Sequence, residues 1–280
     1  MRSRSARRPR VATGGLVLLA LAMQVVSARS YAAAPAAHPV IAVIIDDLGN
    51  TLEEGRRAVD LPGPVACAVL PYTRYSATLA DQAYARGKEV LLHLPMQAID
   101  DVPLGRGGIT LKMTQEQIRN TVRADVAAVP HLVGVNNHEG SLISMHPGDL
   151  AWIMQTLHAL GHLFFVDSYT TVDSIAYQIA RENAVPAARR DVFLDDVNTT
   201  EAVQYQFQRL LEIARQKGFA LAIGHPHPAT LEVLAAELPK LPAEGIELVP
   251  VAEIVKLQLA HPIPWPESLY PLPHDPKSIP

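Results

Sequence analysis

Aspartate and histidine recur in this sequence at one kind of place, directly after a short apolar run. Asp46-Asp47 follows the run 40–45, His93 follows 89–92, and Asn136-Asn137-His138-Glu139 follows 132–135. Asp167 follows 163–166, Asp195-Asp196 follows 192–194, and His225 with His227 follows 219–223. One carboxylate with two imidazoles is a common open zinc site, in which three protein donors leave a fourth position for water. Zinc brings the pKa of that water to about 7 and polarises a carbonyl oxygen. Adjacent carboxylates at a strand end point in different directions, so one of Asp46 and Asp47 can bind a metal while the other serves as base. Acyl hydrolysis would also need an acid for the leaving group and an oxyanion contact. His131, His146, His158 and His162 fall in helical or connecting stretches and read as surface or satisfied side chains. His93, His138 and His225 read as sharing one site.

For those residues to meet, the apolar runs must be parallel strands whose carboxyl ends face one opening. Eight runs qualify: 40–45, 65–70, 89–92, 132–135, 163–166, 192–194, 219–223 and 247–249. Most are continuous Val, Ile, Leu and Ala, as expected when both faces of a parallel sheet are covered. Amphipathic stretches alternate with them. Thr51 with Glu54, and Thr114 with Gln117, have capping-box spacing, and Gly87, Gly161 and Gly218 stand where helices end in a left-handed residue. The alternation predicts a single-domain α/β fold, a regular or distorted (β/α) barrel over residues 38–259. Residues 98–113, rich in Gly and Asp, read as a loop over one end of it.

Residues 1–37 have a different character. Five arginines up to Arg10 precede an uncharged apolar run over 11–26, the layout of a secretory signal peptide or an uncleaved membrane anchor. Either outcome puts the folded part outside the cytoplasm, periplasmic or otherwise exported, with membrane contact only through this segment if it stays attached. Removing it takes six arginines and no acids, leaving 18 basic against 28 acidic side chains, a formal charge of −10. So acidic a chain repels phosphate backbones, which argues against nucleic-acid binding. Cys67, the one cysteine, lies in an apolar run and reads as a small core residue. Residues 260–280 are proline-rich and read as a tail, with Trp265 and Tyr270 packing on the barrel. Nothing in the sequence fixes the oligomeric state.

Five motifs, in order, resemble the divergent polysaccharide deacetylase family: Val43-Ile44-Ile45-Asp46-Asp47-Leu48-Gly49, His93-Leu94-Pro95-Met96-Gln97, Asn136-Asn137-His138-Glu139-Gly140-Ser141, Phe165-Val166-Asp167-Ser168 and Ile223-Gly224-His225-Pro226-His227-Pro228. The resemblance implies a distorted β/α barrel of the NodB-like polysaccharide deacetylase type with a metal, Zn2+ or another divalent ion, at its mouth. It implies Asp46 as general base, Asp47 and His93 as metal ligands, His225 as general acid and Asp167 as a supporting aspartate. The ordinary enzymes carry a second histidine four positions after the first, where this chain has Gln97; His138, arriving on the next strand, is the substitute expected from strand order. The arginine and proline segment that normally orients the base and donates an oxyanion contact is absent, and Asn136, Asn137 and the Gly140-Ser141 backbone stand in its place.

The implied activity is removal of acetyl groups from an envelope polysaccharide through a zinc-bound water. Two rivals compete with it. One is a barrel that has lost turnover and serves as a periplasmic carbohydrate-binding or scaffolding protein. The other gathers Asp46, Asp47, Asp167, Asp195 and Asp196 into an oxygen-rich magnesium or manganese site for phosphoryl transfer.

Overall fold

The computed structural model describes residues 38–265. Among them are nine strands: β1 (Val40–Leu48), β2 (Ala66–Val69), β3 (Val90–Met96), β4 (Leu132–Glu139), β5 (Phe164–Asp167), β6 (Ala187–Arg189), β7 (Val192–Phe193), β8 (Phe219–Gly224) and β9 (Glu247–Leu248). Every pairing is parallel, in the order β6-β5-β4-β3-β2-β1-β8-β7, and β9 pairs with the first two residues of β1. The two outermost strands, β6 and β7, are separated in the chain by Arg190 and Asp191 alone. Arg190 N donates to Asp167 O on β5 and Asp191 N donates to Leu221 O on β8, so this dipeptide bridges the open seam. The parallel sheet is thus a distorted (β/α) barrel, as expected, with one strand more than the eight read from the sequence. The added strand, β6, is Ala-Ala-Arg, too short and too weakly apolar to register as a run.

Among the described residues eight α-helices pack outside or below: α1 (Leu52–Val59), α2 (Ser76–Ala85), α3 (Gln115–Ala128), α4 (Pro147–Leu160), α5 (Ala176–Glu182), α6 (Thr200–Lys217), α7 (Pro228–Glu237) and α8 (Val251–Ala260). The period of two along each strand divides the core into two clusters. Ile41, Val43, Ile45, Leu92, Leu94, Val135 and Phe165 face the helices. Ala42, Ile44, Ala68, Leu91, Val166, Leu221 and Ile223 face inward, where Val251, Ile254 and Val255 of α8 plug the amino end. The half-buried carboxylate of Glu89 accepts from Val251 N and Ala252 N at the start of that plug.

Thr114 and Gln117 form the expected reciprocal capping box on α3, and Gly87, Gly161 and Gly218 all have φ between 70° and 89°. Thr51 departs from expectation. It occupies the N-cap of α1 but makes no side-chain capping bond, so the box with Glu54 does not form. Residues 98–113 do lie at the carboxyl end of the strands: Ile109 exchanges backbone bonds with Pro95 and Gln97, and Ser141 Oγ accepts from Ile99 N. Cys67 is buried, its thiol pushed up to about 12 by loss of solvent, so it stays an unreactive packing group. At the start of the tail, Ile263 N donates to the Tyr177 hydroxyl and Gln178 Nε2 donates to Pro264 O. Trp265 is 49% exposed, against the expectation that it packs on the barrel. Residues 1–37 and the remainder of the tail, Tyr270 included, lie outside the described residues. Among the described residues no helix is long and apolar enough to cross a membrane.

The turn that leaves β1 has little freedom. Gly49 sits at φ 127°, and a Cβ there would lie 2.0 Å from Thr73 Oγ1. Gly49→Ala is therefore expected to lower stability by roughly 1–3 kcal/mol, read as a lower urea midpoint with unchanged slope; an unmoved midpoint would show that the turn can relax.

Candidate functional site

The inward register, continued past the last apolar residue of each strand, selects the polar groups that meet. Ala42 and Ile44 lead to Asp46, Leu91 leads to His93, Gly134 leads to Asn136 and His138, Val166 leads to Ser168, and Ile223 leads to His225. Asp47 is one residue out of phase and would face the helices. A register shift in β1 between Ile45 and Leu48, with Asp47 at φ 58°, turns it back into the mouth. The same left-handed geometry recurs at Glu139 and Tyr169, at the ends of β4 and β5. Such strain in non-glycine residues clusters at functional sites. The result is a cleft of about 640 Å³ with Asp46, Asp47, His93, His138 and His225 on its floor.

At the centre, three atoms form a small triangle. Asp47 Oδ1 is 2.9 Å from His138 Nδ1 and 3.2 Å from His93 Nε2, and the two ring nitrogens are 3.2 Å apart. Donors bound to a tetrahedral ion at about 2.0–2.1 Å sit roughly 3.3 Å from one another, so the triangle is close to the size a zinc ion requires. Asp47 Oδ1 is buried and has no hydrogen bond of acceptable geometry, though both rings stand within ion-pair distance. That orphaned oxygen beside two imidazole nitrogens fits a cation, and these three residues form a group that could hold one.

Asn136 settles the protons around the triangle. Its Nδ2 donates to Asp46 Oδ1 at 2.8 Å, which makes its Oδ1 an acceptor for His93 Nδ1 at 3.0 Å. A neutral His93 then carries its proton on Nδ1 and turns a bare Nε2 toward Asp47. On the other flank, Asp195 takes His225 Nδ1–H at 3.0 Å, the His225 amide at 2.6 Å and the Thr230 hydroxyl at 2.7 Å. His225 Nε2 is left facing the cleft, 3.8 Å from Asp47 Oδ2.

The two neighbouring carboxylates are driven apart electrostatically. Burial raises Asp46 above the usual carboxylate range, only partly offset by His93 and His225. Burial pushes Asp47 the same way, but its contacts with His138 and His93 outweigh that and hold it well below the range. For His225, burial disfavours the charged ring, yet Asp195, Asp46 and Asp47 prevail and lift it to about 9. His93 also rises against its burial, through Asp46 and Asp47.

Of the residues singled out in the sequence, Asp46, Asp47, His93, Asn136, Asn137, His138 and His225 come together here. Asn137 Nδ2 donates to Glu139 O and its Oδ1 accepts from Ser168 N, so it pins the ends of β4 and β5 at the edge of the cleft. Asp167 does not reach the cleft. It is on the outward phase of β5, buried, and accepts from Tyr169 N, Ser174 Oγ and Tyr177 N, bracing the loop behind the site. The Gly140-Ser141 backbone also misses the cleft: Ser141 Oγ is taken by Ile99, and Gly140 O caps the 3-10 turn at Ile143–Met145. Gln97 accepts from Leu111 N and so tethers the loop rather than the site. The oxygen-rich cluster is not assembled, because Asp167 and Asp195 are turned to other partners.

Two contributors take roles the sequence did not give them: Asp195, read there only as a member of the oxygen-rich cluster, and Arg190, given none. Asp195 is the partner of His225, and the inward phase of Phe193 on β7 would have pointed to it. Arg190, in the seam, donates to Ser168 O and Tyr169 O and lines the cleft, its charge near Asp167 and Asp46; no local sequence signal marks it. His131, by contrast, pairs with Asp81 and stacks on Tyr84 away from the cleft, as expected.

The chain matches a family model described as divergent polysaccharide deacetylase over residues 43–255. It is 37% identical to an uncharacterized protein of Haemophilus influenzae over 225 residues, 80% of each chain. It is 34% identical to the uncharacterized protein YibQ of Escherichia coli over 215 residues, 77% of this chain and 67% of that one. Among solved structures, an uncharacterized protein of Agrobacterium tumefaciens superposes with a TM-score of 0.74 at 21% identity, covering 79% of this chain and 91% of that one, a likeness of fold.

Metal-stripped protein is expected to take up one zinc ion per chain, and His93→Ala, His138→Ala or Asp47→Asn to bring uptake well below that. Asn136→Ala should weaken affinity by roughly 10–100-fold, the cost of losing the group that orients a ligand. Uptake should also fall as pH drops through the imidazole range, since protons compete for the same lone pairs. Direct metal analysis checks each; full uptake by the His93 and His138 variants would dissolve the site.

Proposed function

This chain belongs to the divergent polysaccharide deacetylase family, and from that premise we propose that it is an exported, periplasmic hydrolase that removes acetyl groups from an envelope polysaccharide with a metal held by Asp47, His93 and His138. The observation that carries the proposal is the triangle of Asp47 Oδ1, His93 Nε2 and His138 Nδ1, flanked by a raised carboxylate on one side and a protonated imidazole on the other. Export rests on the basic and apolar pattern of residues 1–37. A polysaccharide substrate rests on the family.

A metal at this triangle supplies Lewis acidity at the mouth of the cleft, and its mixed imidazole and carboxylate donors suit zinc. The chain's own groups carry the protons. Asp46 is held by Asn136 at Oδ1, and its Oδ2 is 3.5 Å from His93 Nε2, at the edge of the triangle. A buried carboxylate with a raised pKa is a better base than an exposed one, so Asp46 takes the proton of a water whose oxygen adds to the acyl carbon. His225 holds its Nδ1–H on Asp195 and carries its second proton on Nε2, toward the cleft. That proton goes to the nitrogen or oxygen of the sugar as its bond to the acyl carbon breaks, leaving acetate and an amine or hydroxyl. Arg190 anchors the Ser168 and Tyr169 carbonyls and places positive charge on the wall near Asp46.

Zinc-loaded protein should release acetate from acetylated glycans. Asp46→Asn is expected to cut the rate by roughly 10²–10⁴-fold, the range for loss of a general base, while still binding zinc. Because Asp195 helps hold the proton on His225, Asp195→Asn should move the basic limb of the kcat/KM profile to lower pH. Glycan binding without acetate release by the wild type would replace the enzyme with a binding protein.

A further inference from the structure

The run His225-Pro226-His227-Pro228 carries two imidazoles, and the acid step uses the first alone. Each histidine precedes a proline, which favours extended backbone, and His227 is extended, at φ −69° and ψ 147°. Alternate residues of an extended chain project to the same side. The two rings accordingly lie together, their centroids 5.7 Å apart and their planes inclined at 40°. Buried Asp195 completes the group. Asp195, His225 and His227 each offer one ligand atom, and the three atoms lie within 4.8 Å of one another, with His227 exposed to solvent. Asp195 Oδ2 accepts from the His225 amide and the Thr230 hydroxyl, while Oδ1 accepts from His225 Nδ1. A carboxylate oxygen has two lone pairs, so Oδ1 has one to spare.

We propose that Asp195, His225 and His227 form a second, weaker site for a divalent cation of the zinc type, and that filling it switches the enzyme off; the inhibition rests on the deacetylase reading of the first site. One carboxylate with two imidazoles repeats the donor set of the triangle, and the exposure of His227 leaves the remaining position to water. The ion takes the place of the proton that His225 Nδ1 shares with Asp195, and that proton passes to solvent. His225 is then bonded to the ion through Nδ1 and keeps a single proton, on Nε2. Giving that proton to the leaving group would turn the ring into an imidazolate, so the acid step stops. Three effects make this the weaker site. The ion must displace a proton. It lies one ring away from the triangle, whose Asp47 Oδ2 is 3.8 Å from His225 Nε2 and which a cation fills first. The start of α7 beside His227 also carries positive partial charge. At one zinc per chain the triangle is filled, and the second site fills from excess, so activity passes through a maximum as zinc rises.

The test uses the full chain without an added tag, stripped of metal and dialysed against rising free zinc, with bound zinc counted by direct metal analysis. The wild type should bind one ion tightly and a second roughly tenfold or more weaker, and His227→Ala should stop at one. His93→Ala, which breaks the triangle, should keep the weak ion. Saturation of the wild type at one ion, or two ions still bound by His227→Ala, overturns the second site and leaves the deacetylase reading intact. Acetate release should fall as the second ion binds to the wild type and hold steady over the same zinc range in His227→Ala. Equal loss in both proteins removes the inhibitory role. If no acetate is released at any zinc level, the deacetylase reading falls and the inhibition with it, while the zinc counts still decide the site.

Discussion

Three lone pairs aimed at one point repel unless something positive lies between them, and that constraint organises this structure. Asp47 Oδ1, His93 Nε2 and His138 Nδ1 stand within 3.2 Å of one another. The proton of a neutral His93 is committed to Asn136 through Nδ1, and the amide of Asn136 is committed in turn to Asp46. The ring proton is thus held on the far side, and Nε2 is left as a bare donor beside Asp47 Oδ1 and His138 Nδ1. Bringing them together needs the curled parallel sheet, because β1, β3 and β4 must converge at their carboxyl ends, and it needs the left-handed backbone at Asp47. Gly49 and the turn behind it follow from that one residue's departure from the strand's phase.

Phase also explains how much of the site could be read from the sequence. The apolar runs gave seven of the eight strands on the main path of the sheet, and the residues just after them included every member of the triangle. The further step, counting by two from the inward apolar residues, separates Asp46 from Asp167: Ile44 is inward and so is Asp46, while Val166 is inward and Asp167 is not. Asp195 follows Phe193 by the same count and belongs to the site. Asp47 defeats the count, since its direction comes from a shift of register between Ile45 and Leu48 that breaks the period of two. β6 was hidden because three residues with one arginine carry no periodic signal. Thr51 and Glu54 had the spacing of a cap and not its bond, which spacing alone does not guarantee.

The seam shows how closing the barrel and shaping the cleft become the same task. Two residues cross from β6 to β7, and both make backbone bonds outward to the strands on either side. Arg190 then reaches across with its guanidinium to the carbonyls of Ser168 and Tyr169, the second of these in left-handed backbone. The arginine of the ordinary enzymes is absent from its usual motif. Positive charge returns to the cleft wall from the seam between β6 and β7, held by carbonyl groups and close enough to Asp46 and Asp167 to feel both.

Adjacent aspartates at one strand end invite the assumption that they are interchangeable, and their surroundings argue otherwise. Asp46 is on the inward phase, 3% exposed, with one oxygen held by a neutral amide; desolvation dominates and the carboxylate holds its proton more readily. Asp47 is swung outward of that pocket, meets two imidazoles and is held strongly ionised. A metal ligand must compete with protons for its own lone pair, so the residue kept ionised suits that task. A base must accept a proton in the course of the reaction and surrender it afterward, so the residue pushed upward suits the other. Environments that push paired groups apart in this way assign acid and base roles without reference to sequence order. Here a single peptide unit separates the two environments, and the division is made by the bulge that takes Asp47 out of phase.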